Sequence, residues 1–536
     1  MAKLTRVVIT LIALGSFAGR AEAQALYYRT IPIGERAIGL GGAYTGIADD
    51  PSASYYNPAG LMNGGRFQLL GSLSSIVFTR QTIEDAFDSP DIERTFTSKH
   101  TTTLPHFVGT VVKFGKQKFG DHQFAVAYSS FEAARERLSA SFSEVQPTSS
   151  ADLLINDNYR MRWWGVSIAT RVRRDVSIGL SAFLSNQSYG YNEDVGLASG
   201  GTLEDTGVRV NGDFATTSTR IGVGSWGFVF RLGALYRINP KWQIGFMFQP
   251  PGAPIKKEAN VFRRFTAEIE DESRYFLFDE GDFKSRFPIP FELRIGTAFK
   301  ANTLTTISWD VSINGRVRDG KLIERPPELE GVGGVLGIYF PNTNRRRWTP
   351  NLAIGAEHMF GKAVVAGGLF TNISAAPNVP ETSTEYKPDQ ISTYGASIAV
   401  GVDTKGYRLT VGATGYFGRG DALAFTVDRE AQVSSYRRTK SNVTGLVLYV
   451  AGAVSVASKG AKDVQEKYKE RKVRKHEENG DAEWDEEGEE GMNPEEGPGD
   501  DTGADGDPDV SAEPDADADV EPDADASAEA DADVER

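Results

Sequence analysis

The stretch Trp242-Gln-Ile-Gly-Phe-Met-Phe-Gln249 alternates large apolar residues with small or polar ones. Side chains of a β-strand point alternately to its two faces, so this pattern predicts a strand with one apolar face. The residues on that face are Trp242, Ile244, Phe246 and Phe248. The stretch 289–300 repeats the alternation, with Glu292 and Arg294 on the polar face. The sequence therefore predicts an all-β protein.

Fourteen candidate strands follow this period of two, at 66–79, 104–114, 123–131, 159–172, 176–189, 225–236, 242–249, 289–300, 303–312, 350–359, 363–372, 391–401, 407–417 and 441–452. Their lengths centre on the roughly 9–11 residues that a tilted strand needs to cross a membrane. Between them lie short turns at 173–175, 237–241, 360–362 and 402–406, and long loops at 80–103, 132–158, 190–224, 250–288, 313–349, 373–390 and 418–440. Short and long links alternate strictly, as in outer-membrane barrels, whereas a soluble sandwich has no reason to sort its loops. The pattern predicts an antiparallel transmembrane β-barrel of about 14 strands at 66–453, with both termini in the periplasm.

The polar face of these strands carries charged residues, which the barrel interpretation places in a wet lumen. An arginine facing lipid at mid-membrane would cost about 2–4 kcal/mol, whereas in the lumen it costs little. The residues predicted to face the lumen are Arg231, Gln243, Gln249, Glu292, Arg294, Asp310, Glu357 and Arg408. Aromatic residues near strand ends predict interfacial girdles. These are Trp163, Trp164, Trp226, Trp242, Trp348, Tyr407 and Phe417.

The two ends of the chain differ from the barrel. Residues 1–23 have the basic start, short apolar stretch and Ala-Glu-Ala site of a secretory signal peptide. The formal charge of −15 is uneven, because 27 acidic residues and one arginine fall at 477–536 and leave a net charge of +11 on the rest. A basic linker with helical character is predicted at 454–478. Residues 479–536 have too little apolar surface to fold, which predicts a disordered acidic tail that is either a solubilising spacer or binds a periplasmic partner or calcium.

Nothing in the sequence indicates an enzyme. The chain has no cysteine, which excludes disulfides, thiolate nucleophiles and cysteine-ligated metals. Its five histidines show no H-E-x-x-H spacing, and no G-x-S-x-G stretch is present. We therefore predict no catalytic residue, no metal site, no cofactor and no nucleic-acid partner.

A glycine-rich stretch, GERAIGLGGAYTGIADDPSASYYNPAGL, runs from Gly34 to Leu61, just before the first strand. It fails the dinucleotide-binding pattern G-x-G-x-x-G, because Tyr44 occupies the position of the last glycine, and no βαβ unit follows. Small residues permit close backbone approach and positive φ, and Asn-Pro starts turns. A compact hatch or plug in the barrel lumen is therefore predicted at 24–65. The residues expected to form its tight turns and gate it are Gly39, Gly41, Gly42, Asn57, Pro58 and Ala59.

The segments Gly34-Glu-Arg-Ala37, Gly39-Leu-Gly-Gly-Ala-Tyr44, Ala48-Asp-Asp50 and Tyr56-Asn-Pro-Ala-Gly-Leu61 resemble the N-terminal region of the FadL/OmpP1/TodX family of outer-membrane transporters. Phe287-Pro-Ile-Pro290 is similar to a mid-barrel stretch of that family. The resemblance implies a 14-stranded barrel with an N-terminal hatch and passive, hatch-gated uptake of hydrophobic small molecules such as long-chain fatty acids or aromatic hydrocarbons. PorV/PorQ-like barrels share nearly the same glycine-rich start. A non-transport barrel that acts as a secretion accessory or membrane scaffold therefore stays open.

A fatty-acid ligand would need cationic or hydrogen-bonding partners for its carboxylate. The lumen ligand-binding candidates are Arg231, Arg294, Arg408 and Glu292. The alternative for each arginine is an internal ion pair with Glu292, Asp310 or Glu357. The run Arg345-Arg346-Arg347 lies in a long outer loop and either contacts lipopolysaccharide phosphates or is solvated. Expected partners are thus a hydrophobic ligand, outer-membrane lipid and lipopolysaccharide.

Overall fold

The computed structural model describes residues 32–72, 75–89, 92–104, 107–114, 123–146, 149–202, 209–269, 272–285, 287–318, 322–323, 345–383, 389–404, 406–428 and 433–454. The predicted signal peptide (1–23), the acidic tail (479–536) and all but one residue of the basic linker (454–478) lie outside these ranges. Two short α-helices, α1 (Glu35–Gly39) and α2 (Ala53–Tyr56), and a 3₁₀ helix (Pro58–Met62) precede the first strand. None of the helices in these ranges is long and apolar enough to span a membrane.

All the strands belong to one sheet. They are β1 (Phe67–Ser72), β2 (Ser75–Ser89), β3 (Ile92–Leu104), β4 (Phe107–Phe114), β5 (Phe124–Gln146), β6 (Ser149–Arg171), β7 (Val176–Thr202), β8 (Arg209–Arg237), β9 (Trp242–Gln249), β10 (Ala253–Ile269), β11 (Glu272–Glu280), β12 (Glu292–Lys300), β13 (Thr305–Asn314), β14 (Thr349–Phe360), β15 (Ala363–Asn372), β16 (Thr382–Ser383), β17 (Gln390–Asp403), β18 (Tyr407–Asp428) and β19 (Val433–Val454). Adjacent strands of the wall, such as β6 with β7, β7 with β8 and β18 with β19, pair antiparallel.

The sheet closes into a barrel of fourteen wall strands, which confirms the predicted fold class and strand number. Four wall strands are each built from two consecutive elements: β1 with β2, β3 with β4, β9 with β10, and β11 with β12. The short strand β16 only pairs with β19. Closure comes from β19, which pairs with β1 at Leu69↔Val454 and with β2 at Ile76↔Leu448.

Strands such as β12, β13 and β15 have the predicted 9–11 residues, whereas others are much longer. β7 has 27 residues and β8 has 29, while β18 and β19 have 22 each. The predicted long loops at 132–158, 190–224 and 418–440 are consequently strand hairpins over most of their length. Backbone pairing continues past the apolar outer band. There the outward residues, such as Thr216 and Arg220, are polar, while Ala215 and Ile221 stay buried on the inner face, so the outward apolar residues that located the strands end earlier.

The predicted inner and outer faces are confirmed along the wall. On β9, Ile244 and Phe246 are exposed on the outside, whereas Met247 and Gln249 are buried inside. One girdle assignment is wrong, because Trp163 is buried in the lumen with 2% of its surface exposed. Its neighbour Trp164 faces outward instead and stacks on Trp226 at 6.0 Å. Adjacent tryptophans on one strand necessarily point to opposite faces.

The core of this protein lies inside the barrel. Residues 32–66, which we call the lumenal segment, pack against the inner wall, and most of their side chains are buried. The largest fully buried side chains of the segment are Ile33, Ile38, Leu40, Tyr44, Tyr56 and Leu61. The barrel is therefore filled at this level by its own N-terminal chain.

Candidate functional site

The lumenal segment lies directly against glycines of the barrel wall. A Cβ atom added to Gly233 would lie 2.3 Å from Oδ1 of Asn57, and one added to Gly245 would lie 2.1 Å from the carbonyl oxygen of Thr45. The other wall glycines that approach the segment this closely are Gly179, Gly296, Gly355 and Gly368. Glycine allows backbone to approach backbone without a side chain between. These six glycines therefore form the bed on which the segment rests.

The glycines of the segment itself serve the same packing. Gly41 and Gly42 adopt positive φ angles of 63° and 87°, which side chains rarely tolerate. A Cβ on Gly39 would lie 2.9 Å from Cβ of Ala399 on β17. Backbone conformation therefore requires glycine at positions 41 and 42, and close contact requires it at positions 39 and 41. Their role in gating remains a prediction.

Replacement of Gly245 with alanine is expected to push the lumenal segment off the wall, because the new methyl group would meet a backbone oxygen rather than a movable side chain. Overpacking of this kind costs about 1–3 kcal/mol. Urea unfolding and single-channel conductance would measure the lost stability and the leak. Gly415→Ala is the matched control, since a Cβ there meets nothing within 4 Å. Equal behaviour of the two variants would contradict the glycine bed.

Wall hydroxyl groups satisfy carbonyl groups of the lumenal segment. Ser177, Ser181, Ser308 and Ser397 donate to the carbonyl oxygens of Ala59, Ser54, Ala43 and Gly39 at 3.0, 2.8, 2.6 and 3.0 Å. A buried carbonyl without a partner would be costly, so these bonds stabilise the docked position.

The Asn57-Pro58-Ala59 turn is joined to the wall by one side chain. Asn57 Nδ2 donates to the carbonyl oxygen of Ala234 on β8 at 3.0 Å and to that of Thr45 at 3.2 Å. Its Oδ1 accepts from the backbone N–H of Ala59 at 3.2 Å, while Pro58 begins the 3₁₀ helix. Asn57 therefore caps the helix and ties the segment to the barrel at the same time.

Asp310 on β13 holds the middle of the lumenal segment. Its Oδ2 accepts from the backbone N–H groups of Tyr44 and Thr45 at 3.1 and 2.9 Å, and from the Thr45 hydroxyl at 2.6 Å. Hydrogen bonds to an ionised acceptor are the stronger kind. This inward-facing carboxylate was predicted as an ion-pair partner, and it accepts hydrogen bonds from the backbone and the Thr45 hydroxyl of the lumenal segment instead.

A second anchor is an ion cluster around Arg36 of α1. The guanidinium donates to both carboxylate oxygens of Glu357 on β14 at 2.8 and 2.9 Å, and to Asp49 at 2.5 and 2.6 Å. Glu357 also accepts from Arg408 at 2.8 Å. Arg408 thus forms the ion pair that the sequence left open as the alternative to ligand binding. One carboxylate of the wall connects the lumenal segment to a second strand, β18.

Glu35 lies beside this cluster, with 1% of its surface exposed, and its Oε2 has no hydrogen-bond partner within the described ranges. Burial, reinforced by the charge of Asp50, raises the pKa of Glu35 to about 8. The docked segment therefore favours protonated Glu35. Its contribution to docking is complete below the unfolded-state pKa of 4.5 and is lost as pH rises through about 8.

We accordingly expect docking of the native segment to weaken as pH rises between about 5 and 8, and Glu35→Gln to reduce that dependence. Limited proteolysis of the lumenal segment across this range would measure docking. Glu381→Gln serves as control, because 84% of that side chain is exposed. An unchanged pH profile in the Glu35 variant would contradict the assignment.

The predicted residues Arg231, Arg294 and Glu292 form a separate cluster above the lumenal segment. Arg231 Nη2 lies 2.8 Å from Oε2 of Glu292, and Arg294 pairs with Oε1 of the same carboxylate. Arg231 also donates to the carbonyl oxygen of Tyr55 and lies 3.9 Å from the centre of that ring. The ion pairs left open by the sequence are therefore present. Two guanidiniums share the carboxylate of Glu292 here, and Arg294 also interacts electrostatically with Asp310.

A cavity adjoins this cluster. Its aromatic and apolar lining comprises Tyr55, Ala133, Tyr159, Met161, Trp163, Ile289 and Pro290, and its polar lining comprises Gln187, Arg231, Gln249, Glu292, Asn314 and Arg346. It leaves about 30 Å³ for the centres of water molecules, which is room for about two waters. The chemistry suits an amphipathic molecule, while the volume in this state is too small for one.

The Phe287-Pro-Ile-Pro290 stretch covers this cavity from the gap between β11 and β12. Phe287 is buried and stacks on Tyr159 at 5.2 Å. Its carbonyl oxygen accepts from Gln187, and that of Pro290 accepts from Gln249, at 2.9 and 3.0 Å. The two prolines cannot donate to a strand ladder, so this stretch leaves the wall and folds inward.

The wall next to the cavity contains a seam, which we define as the boundary between β3 (92–104) and residues 132–146 of β5. β5 pairs with β4 up to Phe107↔Phe131, and beyond that point no backbone pairing joins β3 to β5 in the described part of the chain. Two side-chain bonds cross the seam: Ser98 to the Ser139 carbonyl at 2.7 Å, and Arg135 to the Thr103 carbonyl at 3.3 Å.

A β-bulge lies at the lower end of this seam. The β5–β6 register shifts between Glu132 and Ala134, so Ala133 is the extra residue, and Ala133 also lines the cavity. Bulges bend a strand and end or re-aim its pairing. The seam and the cavity therefore meet at this bulge.

Several of these residues were not predicted from the sequence. Arg36 and Asp49 belong to segments quoted for the family resemblance, yet only the fold brings Arg36 to Glu357, 321 positions away. Tyr55 and Trp163 surround Arg231, and the aromatic pattern alone assigned Trp163 to the outside. The predicted arginine run also divides: Arg346 is buried at the cavity, and Arg347 donates to Ala376 and Asn378.

Solved structures of other proteins have a similar fold. A Pseudomonas aeruginosa FadL homologue superimposes with a TM-score of 0.51 at 13% identity, covering 80% of this chain and 99% of that chain. The Pseudomonas putida toluene transporter TodX gives 0.46 at 13% identity over 80% and 99%, and the CymD monoaromatic hydrocarbon channel gives 0.45 at 13% over 79% and 97%. No family model and no curated protein matches the sequence.

The similarity in fold to the FadL homologue extends over nearly the whole length of that structure. It agrees with the closed antiparallel barrel of fourteen wall strands described above. The chain therefore has a FadL-like fold.

Proposed function

We propose that this protein is an outer-membrane channel for the passive uptake of hydrophobic small molecules, gated by the lumenal segment as a hatch. The observation that carries the proposal is the meeting of three features at Ala133: an aromatic cavity, a β-bulge and an unpaired seam in the wall. A molecule that reaches the cavity would then leave sideways through the seam, at the outer edge of the apolar band, since the seam begins one ladder step above the outward-facing Trp164. The toluene transporter TodX and the monoaromatic hydrocarbon channel CymD, which share the barrel architecture, agree with the same function.

The hatch has to move for this route to operate. The cavity holds about two waters, so a fatty acid or a toluene-sized molecule enters only when Tyr55 and the lumenal segment shift. The segment is held by discrete contacts that a ligand could exchange, namely those of Arg36, Asn57 and Asp310. A ligand opens the hatch only if it binds the shifted state more tightly than the docked one.

We propose a long-chain fatty acid, rather than a neutral aromatic hydrocarbon, as the ligand that the cavity fits better. Arg231 and Arg294 share the single carboxylate of Glu292, so a second carboxylate would find charge-assisted donors there. The apolar chain would lie along the side of the cavity formed by Tyr159 and Met161. A neutral hydrocarbon would use only this apolar side.

The alternative is a PorV/PorQ-like barrel that serves secretion or acts as a scaffold. The many wall contacts to the lumenal segment are those that a permanently fixed plug requires, and a closed hatch has the same anchors, so both functions fit them. The two functions differ in whether any hydrophobic ligand moves through the protein.

Uptake of fluorescent fatty acid into liposomes tests the proposal. We expect the native protein to support uptake, Asn57→Ala to change its rate, and deletion of 32–65 to leave an ungated pore that also passes small hydrophilic dyes. Asn442→Ala is the matched control, since that side chain bonds Glu84 within the wall at 3.1 Å. If neither the native protein nor the variants bind or move any hydrophobic ligand, the transport function is wrong and the scaffold alternative gains.

A further inference from the structure

Four arginines gather on the outer surface of the barrel beside the seam. Arg135 and Arg137 belong to β5, and Arg160 and Arg162 belong to β6. Arg135 pairs directly with Arg160 in the ladder, and Arg162 pairs with Glu132. Directly paired residues of antiparallel strands share a face, so these side chains project together. We call Arg135, Arg137, Arg160 and Arg162 the outer basic cluster.

Two neighbours fix this face as the outer one. On β6, Val166 and Ile168 are each 55% exposed and lie an even number of residues from Arg160 and Arg162. The intervening residues Met161 and Trp163 are buried in the lumen. Since side chains alternate along a strand, the cluster faces away from the lumen.

The bulge at Ala133 is what places the β5 arginines in this cluster. Below it, even-numbered residues such as Tyr128 face outward, with 47% of that side chain exposed. Above it, the ladder continues as Ala134↔Met161 and Arg135↔Arg160, so odd-numbered residues face outward. If Ala133 were paired in a regular ladder instead of bulged, Arg135 would lie opposite Tyr159, and Arg135 and Arg137 would point into the lumen. The bulge thus serves the outer surface as well as the seam.

The cluster has more positive than negative charge. Glu132 contacts three of its members, at 2.8 Å from Arg160, 3.6 Å from Arg162 and 3.7 Å from Arg135. Glu136 pairs with Tyr159 and therefore belongs to the lumenal face. Exposed Lys99 of β3 lies across the seam and adds a further positive charge. Among the side chains that the structure describes, this face therefore carries one carboxylate, that of Glu132, and several cations.

The cluster lies just beyond the apolar band of the barrel. Trp164, which stacks on Trp226, is the next outward-facing residue below Arg162. Two residues of a strand span roughly 6.6 Å, so Arg162 and Arg160 lie one and two such steps above the aromatic residues. Girdle aromatics occupy the headgroup level of a membrane. The guanidiniums are therefore at the height of the headgroups, on the side of the long hairpins.

We propose that the outer basic cluster binds the phosphate groups of a lipopolysaccharide molecule, whose acyl chains lie on the apolar surface formed by Tyr128, Val166 and Ile168. Guanidinium groups match phosphate oxygens in geometry as well as in charge. In an outer-membrane barrel the long hairpins face the outside, where this phosphorylated glycolipid forms the leaflet. The proposal rests on the outer-membrane placement given above and is independent of transport. The run Arg345–Arg347, predicted either to contact lipopolysaccharide phosphates or to be solvated, is separate from this cluster.

Binding of purified diphosphoryl lipid A to the full chain in detergent, followed by native mass spectrometry, tests this site. We expect Arg160→Gln/Arg162→Gln to weaken binding on the order of tenfold, and phosphate-free lipid A to bind native and variant alike. The control, Arg419→Gln/Lys440→Gln, removes the same charge from exposed side chains of β18 and β19. Heat-modifiable electrophoretic mobility verifies that each variant is a folded barrel.

Unchanged lipid A binding in the folded double variant would overturn the proposal. So would an equal loss in the control variant, because that result would indicate attraction by net charge alone. If phosphatidylglycerol binds with the same affinity and the same loss, the site takes anionic lipids in general and the assignment to lipopolysaccharide is wrong. Fatty-acid uptake by the double variant should stay at the native level, which separates this site from the transport function.

Discussion

Replacement of Glu357 with alanine is expected to release the lumenal segment and to open a leak through the barrel. The change leaves the guanidiniums of Arg36 and Arg408 without the carboxylate that both contact at 2.8 Å. Removing one partner of a buried ion pair costs about 3–5 kcal/mol. We expect this loss to appear as a lower urea midpoint and as large single-channel conductance in planar bilayers.

The matched control is Glu381→Ala. Glu381 pairs with Arg438 at 3.2 Å, but 84% of its side chain is exposed, and an exposed pair of this kind contributes about 0–1 kcal/mol. A Glu357 variant that stays closed and as stable as the control would contradict the role of the ion cluster in holding the hatch. The double variant Arg36→Met/Glu357→Met should recover part of the stability lost in Glu357→Ala, because it removes the Arg36 guanidinium together with its carboxylate, while Arg408 keeps Asp403 at 3.6 Å.

Replacement of Arg231 with glutamine is expected to weaken binding of a fatty carboxylate by about ten- to a hundredfold, since hydrogen bonds to charged groups contribute roughly 1.5–3 kcal/mol. Only 1% of Arg231 is exposed, and its guanidinium is fixed between Glu292 and Tyr55. Binding of toluene should change little, because a neutral hydrocarbon does not need the cation. Isothermal titration with laurate and with toluene would separate the two.

Arg173→Gln is the control for this prediction, as 76% of that side chain is exposed on a short turn. Equal losses for laurate and toluene would indicate that Arg231 only supports the packing around Tyr55. Unchanged laurate binding would show that the carboxylate is held elsewhere, if it is held at all.

The sequence was sufficient for the barrel because lipid imposes a strict alternation on every wall strand. Ile244 and Phe246 face lipid while Met247 and Gln249 face inward, as the period of two predicts. The extensions of these strands were predicted as loops, because their outward residues are no longer apolar there, although Tyr191, Ala215 and Ile221 stay buried on the inner face. The length of β8 therefore could not be obtained from hydrophobic alternation.

The site was only partly predictable, for a geometric reason. Alternation tells which residues face the lumen, and it correctly placed Arg231, Arg294, Arg408 and Glu292 on the inner face. It does not tell which of them meet across the barrel. The partition into a cluster around Glu292 and another around Glu357 depends on strand tilt and on where the lumenal segment lies. The bulge at Ala133 is invisible to a pattern of period two, since it is a break in that pattern.

Cross-linking the seam tests the central claim, lateral exit of the ligand, most directly. The native chain has no cysteine, so Lys99→Cys/Ser139→Cys introduces a single reactive pair on the two strands of the seam. A reducible thiol cross-linker would lock β3 to β5, and Thr82→Cys/Thr97→Cys provides the control on the paired β2 and β3 strands. We expect the locked seam to stop fatty-acid uptake into liposomes and reduction of the cross-link to restore it. The locked control variant should take up the ligand normally. Full uptake through a locked seam would contradict lateral exit.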